Sequence, residues 1–156
     1  MARAGKIELD RDEAFASAAV KVVAVRAREL FDHTEGVLDV GEPERLHDMR
    51  VATRRLRAVL EIFASCFPRA KLRPILAEVK SLADALGARR DPDVQLQGLE
   101  SVLTEFPAGD RPAVRSLVDA LVADRDEANS RLATALAHVS DSDLEGQVHK
   151  LLQAAR

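Results

Sequence analysis

Apolar residues recur every three to four positions through most of the chain, the spacing that places them on one face of an α-helix. The clearest case is residues 46–67. Its apolar stripe consists of Leu46, Met49, Ala52, Leu56, Val59, Leu60 and Phe63. At about 100° per residue, a second stripe within about 80° of arc contains His47, Arg50, Arg54 and Arg57. This segment is therefore predicted to be one helix with a core face and a basic face, and the basic face is the candidate binding site.

The same periodicity predicts further helices over residues 9–34, 69–86, 92–105, 111–138 and 142–155. Gly87 is a typical helix stop, while Asp91 and Pro92 suit the cap and the first position of a new helix, so a break is expected there. No segment shows the alternation of a strand. The pattern predicts an all-α fold, a single domain over residues 1–156. It would be an antiparallel bundle of about five to six helices, with the basic face on the second and third.

Four cations outside the row extend the candidate site. Arg26 falls within the apolar face of the first helix, so it either snorkels past the core or points into a shared polar cleft, and the cleft is favoured. Lys80 lies on a flank of the third helix, and Arg89 and Arg90 lie on the predicted turn, free to face the basic row. The far side of the second helix carries a semi-apolar strip that suits another helix or another subunit: Val51, Arg55, Ala58 and Ile62.

Charge is distributed unevenly along the chain. The net charge is −3, yet residues 45–90 hold 11 Lys/Arg against 4 Asp/Glu, and the remaining residues hold 12 against 22. The basic segment implies an anionic partner, although it would also suit acidic neighbours inside the fold. One cysteine excludes an internal disulfide. Without a signal-like N-terminus or an apolar run near ~20 residues, a cytoplasmic protein with no membrane segment is expected.

No pattern of catalytic residues emerges. The four histidines, His33, His47, His138 and His149, include no pair at ligand spacing on one helix face, and HExxH, CxxC, glycine-rich phosphate loops and GxSxG are absent from the sequence. We therefore predict no metal, no cofactor and no catalytic residue, and interpret the protein as a non-enzyme.

The basic row suits a long anion better than a small one. From His47 to Arg57 it extends about 15 Å, and the planar donors of arginine match phosphate oxygens. Groups that stack on or read bases are scarce, since five phenylalanines are the only aromatic residues. A ligand that is phosphate throughout is favoured. An adaptor for RNA or DNA using the same surface and a phosphate-processing enzyme are the alternatives, and a structural ladder of ion pairs is the non-functional interpretation.

Two ordered motifs give the chain a family resemblance. Residues 46–57, LHDMRVATRRLR, and residues 86–94, LGARRDPDV, closely resemble the CHAD family of α-helical domains, and the resemblance covers residues 15–105 best. It implies a helical bundle that binds inorganic polyphosphate through basic residues lining a cleft or pore. Carried over by position, it implies binding by His47, Arg50, Arg54, Arg57 and Arg90, with Lys80 and Arg26 as weaker members. It also suggests association with polyphosphate granules.

The chain departs from the family pattern at its C-terminus. Family members commonly hold two related helical halves, whereas this chain has one full half. Residues 148–156, VHKLLQAAR, are similar to the start of a second motif within residues 140–156, although an amphipathic terminal helix with an incidental His149 explains them as well. We hypothesise that two chains associate to rebuild the cleft, which predicts a homodimer through the strip that includes Val51, Ala58 and Ile62.

Overall fold

A computed structural model of the protein describes residues 3–156, most of which are helical. The helices are α1 (Phe15–Asp32), α2 (Pro43–Ile62), α3 (Arg69–Val102), α4 (Arg111–Asp141) and α5 (Leu144–Leu152). Short 3-10 turns follow α2 at Ala64–Cys66 and α3 at Leu103–Glu105. The described residues contain no strand, and the helices pack as a bundle, so the all-α prediction is confirmed.

The core lies between α1, α2, the first half of α3, the end of α4, and α5. α1 packs on α2, α2 on α3 and α3 on α4, while α5 closes the bundle against α1 and α3. Each helix contributes at least one fully buried leucine, and each such side chain stabilises the fold by about 1.5–3 kcal/mol. Examples are Leu30, Leu56, Leu86, Leu132 and Leu151.

Local chemistry sets two of the helix starts. α2 begins at Pro43, whose missing N–H is not needed in a first turn, and Glu44 follows at the positive end of the helix dipole. α5 begins after Asp143, which adopts a left-handed conformation at φ 53° and accepts a hydrogen bond from the Gly146 N–H at 3.2 Å. α1 begins at Phe15, later than the start predicted within residues 9–12, and Phe15 is 61% exposed and outside the core.

The predicted break near Gly87 is wrong. Residues 69–86 and 92–102 belong to one helix, α3, which continues through Gly87 and Pro92, and residues 103–105 form the 3-10 turn that follows it. An interior proline costs about 3 kcal/mol because it removes a hydrogen bond, so tertiary contacts must offset that cost. Pro92 is buried, and Arg89 pairs with Asp93 one helical turn later. Val94, predicted to lie in the core of a fourth helix, is 53% exposed.

No helix in the described part of the chain is long and apolar enough to cross a bilayer.

Candidate anion-binding site

The basic row lies on the side of α2 that faces away from the core. Leu46, Met49, Leu56 and Leu60 are fully buried, which fixes the rotation of the helix. His47, Arg50 and Arg57 are therefore half-buried at the surface, and Arg54 is exposed.

Cations from two helices meet at one carboxylate. Oε1 of Glu61 lies 3.1 Å from Nε of Arg57 on the same helix and 3.4 Å from Nζ of Lys80 on α3. The hydrogen bond from Arg57, together with Lys80, lowers the pKa of Glu61 below its usual 4.5, against a smaller opposing effect of desolvation. The structure thus brings Arg57 and Lys80 to the same carboxylate.

Glu61 was missed by the sequence interpretation. It follows Arg57 by four residues and Arg54 by seven, so helical spacing alone places it on the same face as the basic row. The spacing alone therefore identifies Glu61, although a row defined by its cations leaves this acidic residue out.

Three members of the row carry no counterion from the described residues. His47, Arg50 and Arg54 form no ion pair or side-chain hydrogen bond within residues 3–156. Their charge is therefore available to an external anion, in contrast to that of Arg57.

Arg90 belongs to the same end of the bundle as the start of the row. α2 and α3 are joined by the short segment 63–68 and run antiparallel as neighbours. Arg90 follows Lys80 by ten residues and His47 precedes Arg57 by ten, about 15 Å along each helix axis. Starting from Arg57 and Lys80, which both contact Glu61, these equal steps place half-buried Arg90 near the axial level of His47.

The structure does not place Arg89 at the surface. Its side chain is fully buried, with Nη1 2.6 Å from Oδ2 of Asp93 and Nε donating to Oδ1 of Asn129 on α4 at 3.0 Å. Asn129 also donates to the Leu38 carbonyl oxygen at 3.0 Å, which ties the α1–α2 connection to the same network. Because α3 continues as a helix where a turn was predicted, Arg89 rotates inward against α4, and its predicted role in ligand binding is corrected to a structural one.

Arg26 lies apart from the basic row. Its Nη1 donates to Oε1 of Glu29 at 2.6 Å, and its Nη2 donates to the Gly5 carbonyl oxygen at 3.4 Å. Burial raises the pKa of Glu29, but the Gly5 N–H, Arg26 and the nearby positive charge of Arg55 lower it further, so the net shift is downward. Arg55 lies on the α1 side of α2, away from the row, and Arg26 is paired with Glu29 there, so its predicted part in a shared cleft stays a prediction.

A large cavity of the bundle lies away from the basic row. A cavity of about 710 Å³ lies between α3 and α4, and its lining includes Leu82, Ala135 and His138 but none of the predicted binding residues. Among residues 3–156 no group of three His, Cys, Asp or Glu side chains is arranged to hold a metal ion. The basic cleft that the family resemblance implies stays a prediction.

A family model described as the CHAD domain matches residues 21–156. The chain belongs to the CHAD family. The match continues beyond residues 15–105, where the motifs resembled the family most, to the end of the chain. CHAD domains are associated with polyphosphate-related proteins. A comparison with curated proteins finds no significant match.

The two motifs of this CHAD domain lie on adjacent helices. Residues 46–57 form most of α2, and residues 86–94 form the middle of α3. α5 packs Leu144, Val148 and Leu151 into the core, whereas His149 is exposed and contacts the side chain of Gln153 at 3.0 Å. The origin of residues 140–156 as the start of a second repeat stays a prediction.

Proposed function

We propose that the protein binds inorganic polyphosphate, without catalysis, along the basic face of α2 and α3. The observation that carries the proposal is the set of surface cations without a counterion from residues 3–156, namely His47, Arg50 and Arg54. They form one row with Arg57, and Lys80 and Arg90 extend the surface onto α3. Family membership supports the same conclusion.

The extent of the row favours a polymer. From His47 to Arg57 it spans about 15 Å, so a single orthophosphate would reach only one or two of its members. A chain of phosphates would contact several at once and would release one condensed counterion for each phosphate charge neutralised. Binding should accordingly weaken steeply as salt is raised.

The absence of base-reading groups near the row disfavours nucleic acid. Phe67 is buried, and the ring of Phe63 is engaged with that of Phe15 at a centroid distance of 5.2 Å. Proteins that bind single strands usually offer aromatic faces to the bases, each worth about 1–3 kcal/mol. The row offers only charge, which suits a ligand made of phosphate.

Competition separates the candidate functions. We expect long-chain polyphosphate to displace labelled RNA or DNA of equal charge from the protein, and not the reverse. A preference for nucleic acid would favour the adaptor function instead. Release of orthophosphate from polyphosphate, with or without a divalent metal, would instead indicate a phosphate-processing enzyme.

We further propose that the protein binds polyphosphate in the cytoplasm, in association with polyphosphate granules.

We also propose that two copies of the chain associate through the exposed apolar end of α2. Ile62 is 67% exposed, Ala58 is exposed, and Phe15 lies beside Phe63 with 61% of its surface accessible. Apolar surface of this kind is buried favourably by a second subunit.

The dimer can be tested by sedimentation velocity at micromolar concentration. We expect a dimer for the wild type and a shift toward monomer for Ile62→Glu, because a charge in the interface would be desolvated without a partner. Leu117→Glu is a matched control, since Leu117 is 50% exposed on α4. A monomeric wild type that still binds polyphosphate would contradict the proposed dimer.

A further inference from the structure

The basic face contains one acidic residue that contacts its cations from both helices. Oε1 of Glu61 is 3.1 Å from Nε of Arg57 and 3.4 Å from Nζ of Lys80, and all three side chains are 41–44% exposed. The face thus has two parts: an open part, His47, Arg50 and Arg54, and a self-neutralised part, Arg57, Lys80 and Glu61.

We propose that Glu61 is an internal competitor for the ligand, holding the place of a phosphate group between Arg57 and Lys80 until a polyanion displaces it. This inference rests on the proposed function, because it concerns the same surface.

The chemistry of the three groups supports displacement. A carboxylate and a phosphate both accept charge-assisted hydrogen bonds from guanidinium and ammonium groups, so the same donors serve either anion. The ion pairs are half-exposed, and pairs of that kind contribute little to stability. A polyphosphate chain held by several other cations would therefore replace Glu61 readily, while a weakly charged anion would not.

Glu61 consequently influences which anions bind well. An anion confined to the open part contacts a row about 10 Å long, from His47 to Arg54, and leaves Glu61 in place. A longer chain must pass the carboxylate to reach Arg57 and Lys80. The affinity gained with chain length is therefore smaller than the number of cations on the face would suggest.

The test is the variant Glu61→Gln, which keeps the side-chain shape and removes the negative charge. We expect its affinity for long-chain polyphosphate to rise about three- to tenfold at low salt, because two half-exposed cations lose their internal partner. The slope of log affinity against log salt should steepen by nearly one unit, because no displaced carboxylate takes up a cation. The affinity for tripolyphosphate, which fits the open part, should change less.

Glu127→Gln is the matched control. Glu127 also pairs with an arginine four residues away, Arg131 on α4, and is 65% exposed against 43% for Glu61, so the variant makes the same change in net charge away from the basic face. Thermal melts of both variants establish that they fold. If Glu61→Gln and Glu127→Gln change affinity and salt slope equally, the inference is overturned while polyphosphate binding stands. If the wild type does not bind polyphosphate at all, the proposed function fails and the inference fails with it.

Discussion

Replacing Asp93 with alanine is expected to lower the free energy of unfolding by about 3–5 kcal/mol, a large share of the roughly 5–15 kcal/mol of a typical domain. The reason is Arg89, whose fully buried guanidinium has the Asp93 carboxylate as its counterion at 2.6 Å. Asn129 accepts from Nε of Arg89 but supplies no negative charge. Without Asp93, the buried guanidinium of Arg89 would remain between α3 and α4 without a counterion.

Urea unfolding followed by circular dichroism measures this effect. Glu127→Ala removes the carboxylate of an exposed ion pair with the same four-residue spacing, and its loss should cost no more than about 0.5 kcal/mol. The double variant Arg89→Met/Asp93→Leu should recover most of the stability, since it replaces the buried pair with apolar side chains. An unfolding midpoint for Asp93→Ala equal to that of Glu127→Ala would contradict the structural role of Arg89.

Charge reversal in the open part of the basic face is expected to abolish polyphosphate binding. Arg50→Glu/Arg54→Glu removes two cations that lack a counterion among residues 3–156 and places two negative charges against the ligand. Any residual binding should show a salt slope reduced by about two units, one for each lost phosphate contact. Helicity should be unchanged because neither side chain belongs to the core.

The matched control for net charge is Arg28→Glu/Arg115→Glu. Both arginines are exposed, Arg28 on α1 and Arg115 on α4, and this double reversal changes the net charge by the same amount. It should weaken binding only modestly through the long-range field. Equal losses in the two double variants would show that binding depends on overall charge and not on the α2 row.

The sequence predicted the core face of α2 well because one periodic signal controls it, although the helix ends at Ile62 and residues 64–66 form a 3-10 turn. Its apolar stripe is long and regular, and the five positions Leu46, Met49, Ala52, Leu56 and Leu60 are fully buried. Once that stripe faces the core, the orientation of the basic row follows from helix geometry. The motif resemblance added the family, which the match over residues 21–156 confirms. The binding roles of the row itself stay predictions.

The continuity of α3 could not be predicted from local chemistry. Gly87, Asp91 and Pro92 all favour a helix end and a new start, and local propensity is the only information that a short window contains. The contacts that stabilise a continuous helix come from distant residues: Asn129, which accepts a hydrogen bond from Arg89, is forty positions away along the chain. The surface position predicted for Arg89 is wrong for the same reason: a turn would leave its side chain exposed, whereas the continuous helix buries it.

Arg26 illustrates a second limit of sequence periodicity. Its position inside an apolar face indicated a special environment, and the structure supplies one, but the partners are Glu29 and the Gly5 backbone rather than the α2 row. Periodicity identifies the face of a helix, not which neighbour that face meets. Contacts with the N-terminal segment have no periodic signal at all.

The central claim is that the basic face of α2 and α3 binds polyphosphate. The most direct measurement is a calorimetric titration of the purified protein with long-chain polyphosphate of defined length, repeated at several salt concentrations and compared with RNA of equal charge. We predict saturable binding that weakens steeply with salt and exceeds the affinity for RNA. No detectable binding at low salt, or tighter binding of RNA, would contradict the account.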